Sequence, residues 1–234
     1  IEEIRRFVIT IVESLLRLGA KLIVVACNTA SGAALTALRE TFPGIPFVGM
    51  EPAVKPAVER TRSGAVGVLA TPTTFQGDLY RRLVDRLGES VAIHTLPCPG
   101  LAEAIEAGEI HSASTAALLR ECLATLIDHG IDQLVLGCTH YPFASDLIAS
   151  IVGPSVGIID PAPAVARQVQ RVLGQMNALA PEYNAAQRVF ITTCSPVLLA
   201  EQLASLVGVQ AHASAAIWTE PSLRVGNVLL QSRE

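Results

Sequence analysis

The sequence predicts an α/β fold with two pseudo-symmetric domains, each built on a parallel sheet, and a functional site in the cleft between them. Half of the 234 residues are apolar and only 16% are charged, a balance typical of strands covered by helices on both faces. Helical patterns alternate with short apolar, β-branched runs, as in βαβ units. A long segment of the first half also recurs in the second half, which indicates two related domains.

The individual elements follow from these patterns in order along the chain. Apolar residues recur on one face over residues 4–18 and 116–128, which predicts two amphipathic helices. Short β-branched runs lie between the helical patterns and predict buried strands. The predicted strands span residues 22–26, 47–50, 65–70, 91–96, 133–136, 156–159 and 189–192.

The repeat runs through two cysteine-containing segments. Each copy has a helix, a glycine, a strand, a cysteine, a second helix, a second strand and an acid-Pro-Ala turn, in that order. The glycine precedes Cys27 and Cys138 by eight residues in both copies, and the turns lie at residues 51–53 and 160–162. Agreement of this many features in one order indicates that the two halves share a fold.

The repeat also predicts the domain boundaries and a deficit at the front. We expect a discontinuous first domain of residues 1–49 and 165–234, and a second domain of residues 50–164. The strands of the second domain begin 73 residues before its cysteine, whereas only 26 residues precede Cys27. Equal halves would require about 47 further residues, enough for a strand, a helix and a second strand. We therefore expect an N-terminal piece to be absent from this chain.

Charge and cysteine content exclude several classes of function. The formal net charge is -4 and no run of Lys or Arg occurs, so we expect no nucleic-acid partner. No apolar run approaches the roughly 20 residues of a membrane span, so we expect no membrane partner. The five cysteines lack C-x-x-C spacing and are typical of reduced thiols in the cytoplasm. The sequence does not determine the oligomeric state, and a homodimer is one assembly we consider.

The two repeated cysteines are the strongest candidates for catalysis. Cys27 and Cys138 each follow a strand and precede a predicted helix, the position at which open α/β sheets bind ligands. Backbone N–H groups at a helix N-terminus favour the thiolate. Two thiols on opposite sides of one cleft can remove a proton from one face of a carbon and return one to the other face. This arrangement predicts a racemisation.

Further residues near these strand ends are candidates for supporting roles. His140 can exchange a proton with the neighbouring thiol or orient the substrate, and a carboxylate near a thiol can help to move its proton. The candidate carboxylates are Glu51, Glu106 and Asp160. The candidate ligands of a substrate carboxylate, which can equally be helix caps, are Asn28, Thr29, Thr71, Thr73, Thr74 and Thr139.

The remaining cysteines and histidines are interpreted as structural or left open. Cys122 lies on the apolar stripe of a predicted helix and is expected to be inert core. Cys98 and Cys194 lie in predicted loops, where either role stays open. His94 and His111 are interpreted as structural.

Four segments carry a family resemblance. They are VVACNTAS around Cys27, GVLATPTT around Thr71, CPGLAEAIEAG from Cys98, and LGCTHYP around Cys138. In this order they resemble the glutamate racemase family, within the aspartate/glutamate racemase superfamily. The resemblance implies interconversion of L- and D-glutamate, which supplies D-glutamate for peptidoglycan, without pyridoxal phosphate, metal or nucleotide.

The resemblance also implies residue roles. Cys27 would deprotonate D-glutamate and Cys138 would deprotonate L-glutamate, each acting as the acid in the reverse direction. The substrate-binding pairs would be Asn28 with Thr29, and Thr139 with His140, while Glu106 would be an auxiliary acid.

The chain departs from the family pattern at its front. Glutamate racemases open with a strand ending in Asp-Ser-Gly and carry a Pro-Tyr-Gly turn before the first cysteine, and neither motif occurs here. The absent Asp would support the first thiol, so we expect the chain by itself to racemise glutamate little. Alternatives are an aspartate racemase or related decarboxylase, a protein that keeps only the fold, and a metal site formed by Cys27, Cys138 and His140.

Overall fold

The computed structural model describes residues 1–181, 186–219 and 222–226. The α-helices are α1 (Glu2–Arg17), α2 (Asn28–Thr41), α3 (Val54–Arg60), α4 (Pro72–Gln76), α5 (Asp78–Leu87), α6 (Leu101–Glu106), α7 (Ala113–Asp128), α8 (Ser145–Val152), α9 (Ala162–Gln175) and α10 (Pro196–Gln202). The strands are β1 (Ile23–Val25), β2 (Phe47–Gly49), β3 (Ala65–Ala70), β4 (Ala92–Pro97), β5 (Gln133–Leu136), β6 (Gly157–Ile159), β7 (Phe190–Thr192), β8 (Ala213–Thr219) and β9 (Ser222–Val225).

The largest sheet lies in the middle of the chain and is entirely parallel. Its strand order is β4-β3-β5-β6. All six residues of β3 are buried, because helices cover both faces. Leu69 of β3 belongs to a core cluster with residues of α6, α7 and α8, while Val66 and Val68 belong to a second cluster with residues of α3 and α5. Burial on both faces explains why β3 reads as a continuous apolar run.

The two ends of the chain pack together in a second unit. Strands β1 and β2 form a parallel pair, and β7-β8-β9 form a separate sheet in which β7 and β8 are parallel and β8 and β9 antiparallel. Helix α1 joins these parts, since the Ser14 hydroxyl donates a hydrogen bond to the Leu223 carbonyl at 3.1 Å and the rings of Phe7 and Trp218 lie 5.2 Å apart. These contacts join the N-terminal helix to the C-terminal strands.

The domain boundaries themselves stay a prediction. Parts of the predicted first domain, at residues 182–185, 220–221 and 227–234, lie outside the described residues.

Sequence patterns located most strands but missed one pair. The seven predicted strands all occur, displaced at either end by no more than one residue. Strands β8 and β9 were not predicted, since the apolar residues of β8 are mostly alanine and its burial does not alternate. Small side chains give a weak strand signal.

The topology places both candidate thiols at the carboxyl ends of strands. Cys27 follows β1, and Cys138 follows β5 after a single glycine. This is the edge at which parallel α/β sheets bind ligands. No helix within the described ranges is both long and apolar enough to cross a membrane.

Candidate active site

Cys27 is the N-cap residue of α2. Its backbone is extended, with φ -150° and ψ 127°, and its sulfur accepts a hydrogen bond from the Ala30 N–H at 3.5 Å. The residue is exposed. The sulfur therefore lies at the positive end of a 14-residue helix and accepts a backbone hydrogen bond there.

Cys138 has a different environment. It is half-buried and begins a turn that leads into a short 3₁₀ helix, Tyr141–Ala144, before α8. The predicted helix directly after Cys138 is therefore wrong at its start, because Pro142 lies in the first turn of the 3₁₀ segment and lacks the N–H that an α-helix interior requires. The resulting bend brings His140 back towards the thiol.

Cys138, His140 and Glu106 form a chain of polar contacts. The Cys138 sulfur lies 3.6 Å from Nδ1 of His140, and Nε2 of the same ring lies 2.8 Å from Oε1 of Glu106. The pKa of His140 is raised to about 9 by the hydrogen bond with Cys138, against burial that lowers it, with a further upward contribution from Glu106. The imidazolium is therefore the favoured form near neutral pH, and it can donate to both neighbours.

One hydrogen bond joins the two cysteine-bearing segments. Nδ2 of Asn28, the residue after Cys27, donates to the carbonyl of Gly137, the residue before Cys138, at 2.8 Å. The residues next to the two thiols are therefore in direct contact. Asn28 is only 6% exposed, and its Oδ1 atom has no hydrogen-bond partner among the described residues. A buried acceptor without a partner is costly.

The close approach at Gly137 depends on the absence of a side chain. Its N–H donates to the Leu69 carbonyl at 2.7 Å. A Cβ at this position would lie 2.7 Å from the Cβ of Ala70 and 3.0 Å from the Leu69 carbonyl oxygen, both closer than packed atoms allow. Glycine thus lets the end of β5 lie against the end of β3 while its carbonyl still faces Asn28.

Three threonine hydroxyls meet beside this contact. The Oγ1 atoms of Thr29 and Thr74 lie 3.0 Å apart, those of Thr71 and Thr74 also 3.0 Å, and those of Thr29 and Thr71 3.4 Å. Thr29 comes from α2, and the other two lie at the start of α4. The sequence analysis assigned Thr29 and the Thr71–Thr74 segment to the same anion, and their hydroxyls lie together; the binding of that anion stays a prediction. Hydroxyls donate as well as accept, so the group can bind a carboxylate.

The remaining residues that the sequence predicted for the site lie outside this group of three threonines. Thr139 is half-buried between Cys138 and His140, and Thr73 is exposed. Asp160 accepts a hydrogen bond at 2.8 Å from the N–H of Ala162, the first residue of α9. Glu51 is exposed and has no hydrogen bond to either thiol in the portion that the structure describes.

The other three cysteines have different surroundings from Cys27 and Cys138. Cys98 is buried, and its sulfur lies 2.9 Å from that of Cys122, which packs against the same core. Burial raises the pKa of the Cys98 thiol. The prediction that Cys122 belongs to the core is confirmed, whereas Cys194 is exposed. No group of three or more His, Cys, Asp or Glu side chains arranged to hold a metal occurs in residues 1–181, 186–219 and 222–226.

Two residues near the site escaped the sequence analysis. The buried Tyr141 donates a hydrogen bond to the Cys98 carbonyl at 3.3 Å, and Gln202 donates to the Glu106 carbonyl at 3.1 Å. Tyr141 lies inside the LGCTHYP segment, which could have drawn attention to it. Gln202 carries no local signal, because its contact spans 96 positions of the chain.

Comparison with known proteins adds independent findings. The sequence pattern of the Asp/Glu/hydantoin racemase family matches residues 3–169. The glutamate racemase of Ectopseudomonas mendocina (strain ymp) is 48% identical over 208 residues, which are 86% of this chain and 79% of that protein. The crystal structure of glutamate racemase isoform RacE1 from Bacillus anthracis matches with a TM-score of 0.82 and 33% identity, over 94% of this chain and 82% of that one. Escherichia coli glutamate racemase, solved in complex with L-glutamate and the activator UDP-MurNAc-ala, matches with a TM-score of 0.78 and 28% identity, over 97% of this chain and 83% of that one.

Proposed function

Because the chain belongs to the Asp/Glu/hydantoin racemase family, we propose that Cys27 and Cys138 are the acid/base pair with which it racemises glutamate. The chain is an amino-acid isomerase of the glutamate racemase kind, as its close relatives and its structural matches are. The roles of individual residues are the part of this account that we propose.

The contact between Asn28 and Gly137 carries the proposal. These residues are the immediate neighbours of Cys27 and Cys138, and their 2.8 Å hydrogen bond brings the two strand ends together from the two related halves. A racemase needs an acid and a base on opposite faces of one carbon. Two thiols presented from facing strand ends meet that need.

The reaction consists of two proton transfers. In the direction from D- to L-glutamate, the Cys27 thiolate takes the α-proton, and the electron pair of the C–H bond is delocalised into the adjacent carboxylate. The Cys138 thiol then gives its proton to the opposite face, which leaves Cys138 as the thiolate and Cys27 as the thiol. The reverse direction exchanges these roles. His140, held by Glu106 at 2.8 Å, stabilises the Cys138 thiolate by donating to its sulfur.

We infer the substrate-binding groups from the polar side chains near the two thiols that can form further hydrogen bonds. The three hydroxyls of Thr29, Thr71 and Thr74 offer donors for a carboxylate of glutamate. We assign Asn28 to the same substrate-binding group as its neighbour Thr29, next to the Cys27 thiol. Thr139, between Cys138 and His140, completes the set of polar groups around the substrate carbon.

The biological setting follows from the product and the thiols. We infer that the D-glutamate formed supplies peptidoglycan synthesis. Five cysteines that are all free thiols favour the reducing cytoplasm. A homodimer stays a prediction, which analytical ultracentrifugation tests.

The activity is tested by following the optical rotation of L-glutamate with purified protein expressed from its complete coding sequence. We expect the rotation to decay to zero, since the two enantiomers have equal energy, and we expect L-aspartate to react much more slowly. Loss of rotation with aspartate but not with glutamate would assign the chain to a different racemase. Stable rotation with both would refute the proposed function.

A further inference from the structure

Helix α6, which ends at Glu106, is fixed at each end by a different part of the molecule. At its start, the Tyr141 hydroxyl and the Leu101 N–H both donate to the Cys98 carbonyl, at 3.3 and 3.4 Å. At its end, Nε2 of Gln202 donates to the Glu106 carbonyl at 3.1 Å. The first anchor comes from the same predicted domain as α6, whereas the second comes from the other one.

The segment around Gln202 also packs on the core of the central sheet. Gln202 is the last residue of α10, which continues into one π-helical turn, Leu203–Val207. Leu206 of this turn packs against the core cluster to which Leu101 and Ile105 of α6 belong. Single π turns are frequent at functional sites, because they redirect the side chains of a helix. The hydrogen bond from Gln202 is therefore accompanied by apolar packing of the following turn on the core that also contains α6 residues.

The end of α6 is closed by the N–H groups of Ala107, Gly108 and Glu109, which donate to the carbonyls of Glu103, Ile105 and Ala104. The Glu106 carbonyl takes no part in these bonds and accepts from Gln202 instead. A helix of six residues is marginal by itself, and the carbonyl of its last residue has no partner inside the helix. The side chain of Glu106 is 58% exposed. Fraying of this helical end would move the carboxylate away from His140.

We propose that Gln202 is a positioning residue: by binding the Glu106 carbonyl from the other domain, it holds the Glu106 carboxylate on His140 and so couples the contact between the domains to the Cys138 thiol. The proposal rests on the proposed function in assigning Cys138 a catalytic role. It differs from a simple cap of α6, because it requires a change at His140 when Gln202 is altered.

The surroundings of His140 make it a usable reporter. The titratable groups in contact with its ring are the Cys138 thiol on its own loop and the Glu106 carboxylate on α6. The neighbouring Tyr141 has a raised pKa, caused first by burial, and stays neutral. A displaced Glu106 therefore leaves His140 with one charged partner fewer.

The experiment compares two glutamine-to-methionine variants by NMR titration of His140 and by glutamate turnover. Gln202→Met keeps the length of the side chain and removes its N–H donors. Gln175→Met is the control, since Gln175 is also the last residue of a helix, is exposed, and has a side chain without a hydrogen bond in the described part of the chain. In Gln202→Met we expect the pKa of His140 to fall from about 9 towards its ordinary value and kcat to drop on the order of 10-fold, as for a displaced catalytic group. We expect KM to change little and the control to match the wild type.

The two readouts separate the proposal from the function on which it rests. Titration of His140 needs no substrate, so a wild-type pKa in Gln202→Met would overturn the positioning role whatever the turnover shows. A wild-type protein without glutamate turnover would instead refute the proposed function. If Gln202→Met fails to fold, judged by thermal unfolding, Gln202→Ala at this half-buried position serves in its place, with the same two outcomes.

Discussion

The two candidate thiols differ in what surrounds them, although their positions in the repeat correspond. Cys138 has an imidazole at 3.6 Å, which a carboxylate holds in turn, whereas Cys27 is exposed and accepts one backbone N–H. Both thiols perform the same kind of proton transfer. The groups that contact the two sulfurs are nevertheless different. A charged donor stabilises a thiolate more than a neutral one does.

Replacing either thiol should stop the reaction. For Cys27→Ser and Cys138→Ser, we expect glutamate turnover to fall on the order of 10²- to 10⁴-fold, because a hydroxyl is far too weak an acid to exchange protons near neutral pH. Cys194→Ser, at an exposed cysteine outside the site, is the control and should keep wild-type turnover. Near wild-type activity in either of the first two variants would remove that thiol from the mechanism.

Loss of the His140 proton should lower both the stability of the fold and the glutamate turnover at alkaline pH. Its pKa of about 9 in the folded protein lies above the ordinary 6.5, so its stabilising contribution is fully present below about pH 6.5 and is lost as pH rises through about 9. Turnover should decline over the same range, because the neutral ring can donate to only one of its two partners.

Glu106→Gln tests the cause of this shift. Loss of the carboxylate should lower the pKa of His140 and move the alkaline decline of kcat to lower pH. Glu103→Gln, at an exposed position on the same helix, should leave the profile unchanged. Equal profiles for the two variants would show that Glu106 does not act on His140.

At the scale of the elements, strand ends determine where the chemistry lies. Strands β1 and β5 deliver Cys27 and Cys138, and the glycine after β5 allows close packing against β3. Side chains at the carboxyl ends of parallel strands lie at one edge of their sheet. Because β1 and β5 belong to different sheets, it is the Asn28–Gly137 hydrogen bond that joins the two strand ends.

Gly137→Ala should damage this junction. The added Cβ would lie 2.7 Å from the Ala70 Cβ and 3.0 Å from a backbone carbonyl oxygen, so β5 must shift, and we expect the free energy of unfolding to fall by about 1 to 3 kcal/mol. Urea unfolding measures this loss. Gly44→Ala is the control, since a Cβ at that position would meet no atom within 4 Å beyond its chain neighbours. Equal stability of both variants would show that the junction tolerates a side chain.

Sequence patterns were informative where they reported local structure. Apolar runs located β3 and β5 with their observed ends, because both strands are buried except at the half-buried Gln133 that begins β5. Strand β8 was missed because most of its apolar residues are alanine, and the short β9 was missed because polar residues interrupt it. The contacts of Asn28 with Gly137 and of Gln202 with Glu106 were beyond prediction, because they join residues about 100 positions apart and depend on how the halves pack.

At the scale of the whole molecule, the two-thiol mechanism requires that the thiols of both halves reach one substrate carbon. We expect the sulfurs of Cys27 and Cys138 to lie about 6 to 9 Å apart in a crystal structure with bound glutamate, from two contacts of ~3 to 4 Å with the reacting carbon. A separation above about 15 Å in that complex would be too long for proton transfer to a shared carbon. Such a distance would contradict the two-thiol arrangement.

The most direct test of the two-thiol claim is the fate of the α-proton during the first turnovers in D₂O. L-glutamate is incubated with the protein expressed from its complete coding sequence, and both enantiomers are recovered at low conversion for mass spectrometry. If one thiol removes the proton and the other, already exchanged with solvent, delivers a deuteron to the opposite face, the D-glutamate formed should carry deuterium and the remaining L-glutamate should not. Deuterium at equal levels in both enantiomers, or D-glutamate that keeps its original proton, would show that a single group serves both faces and would contradict the account.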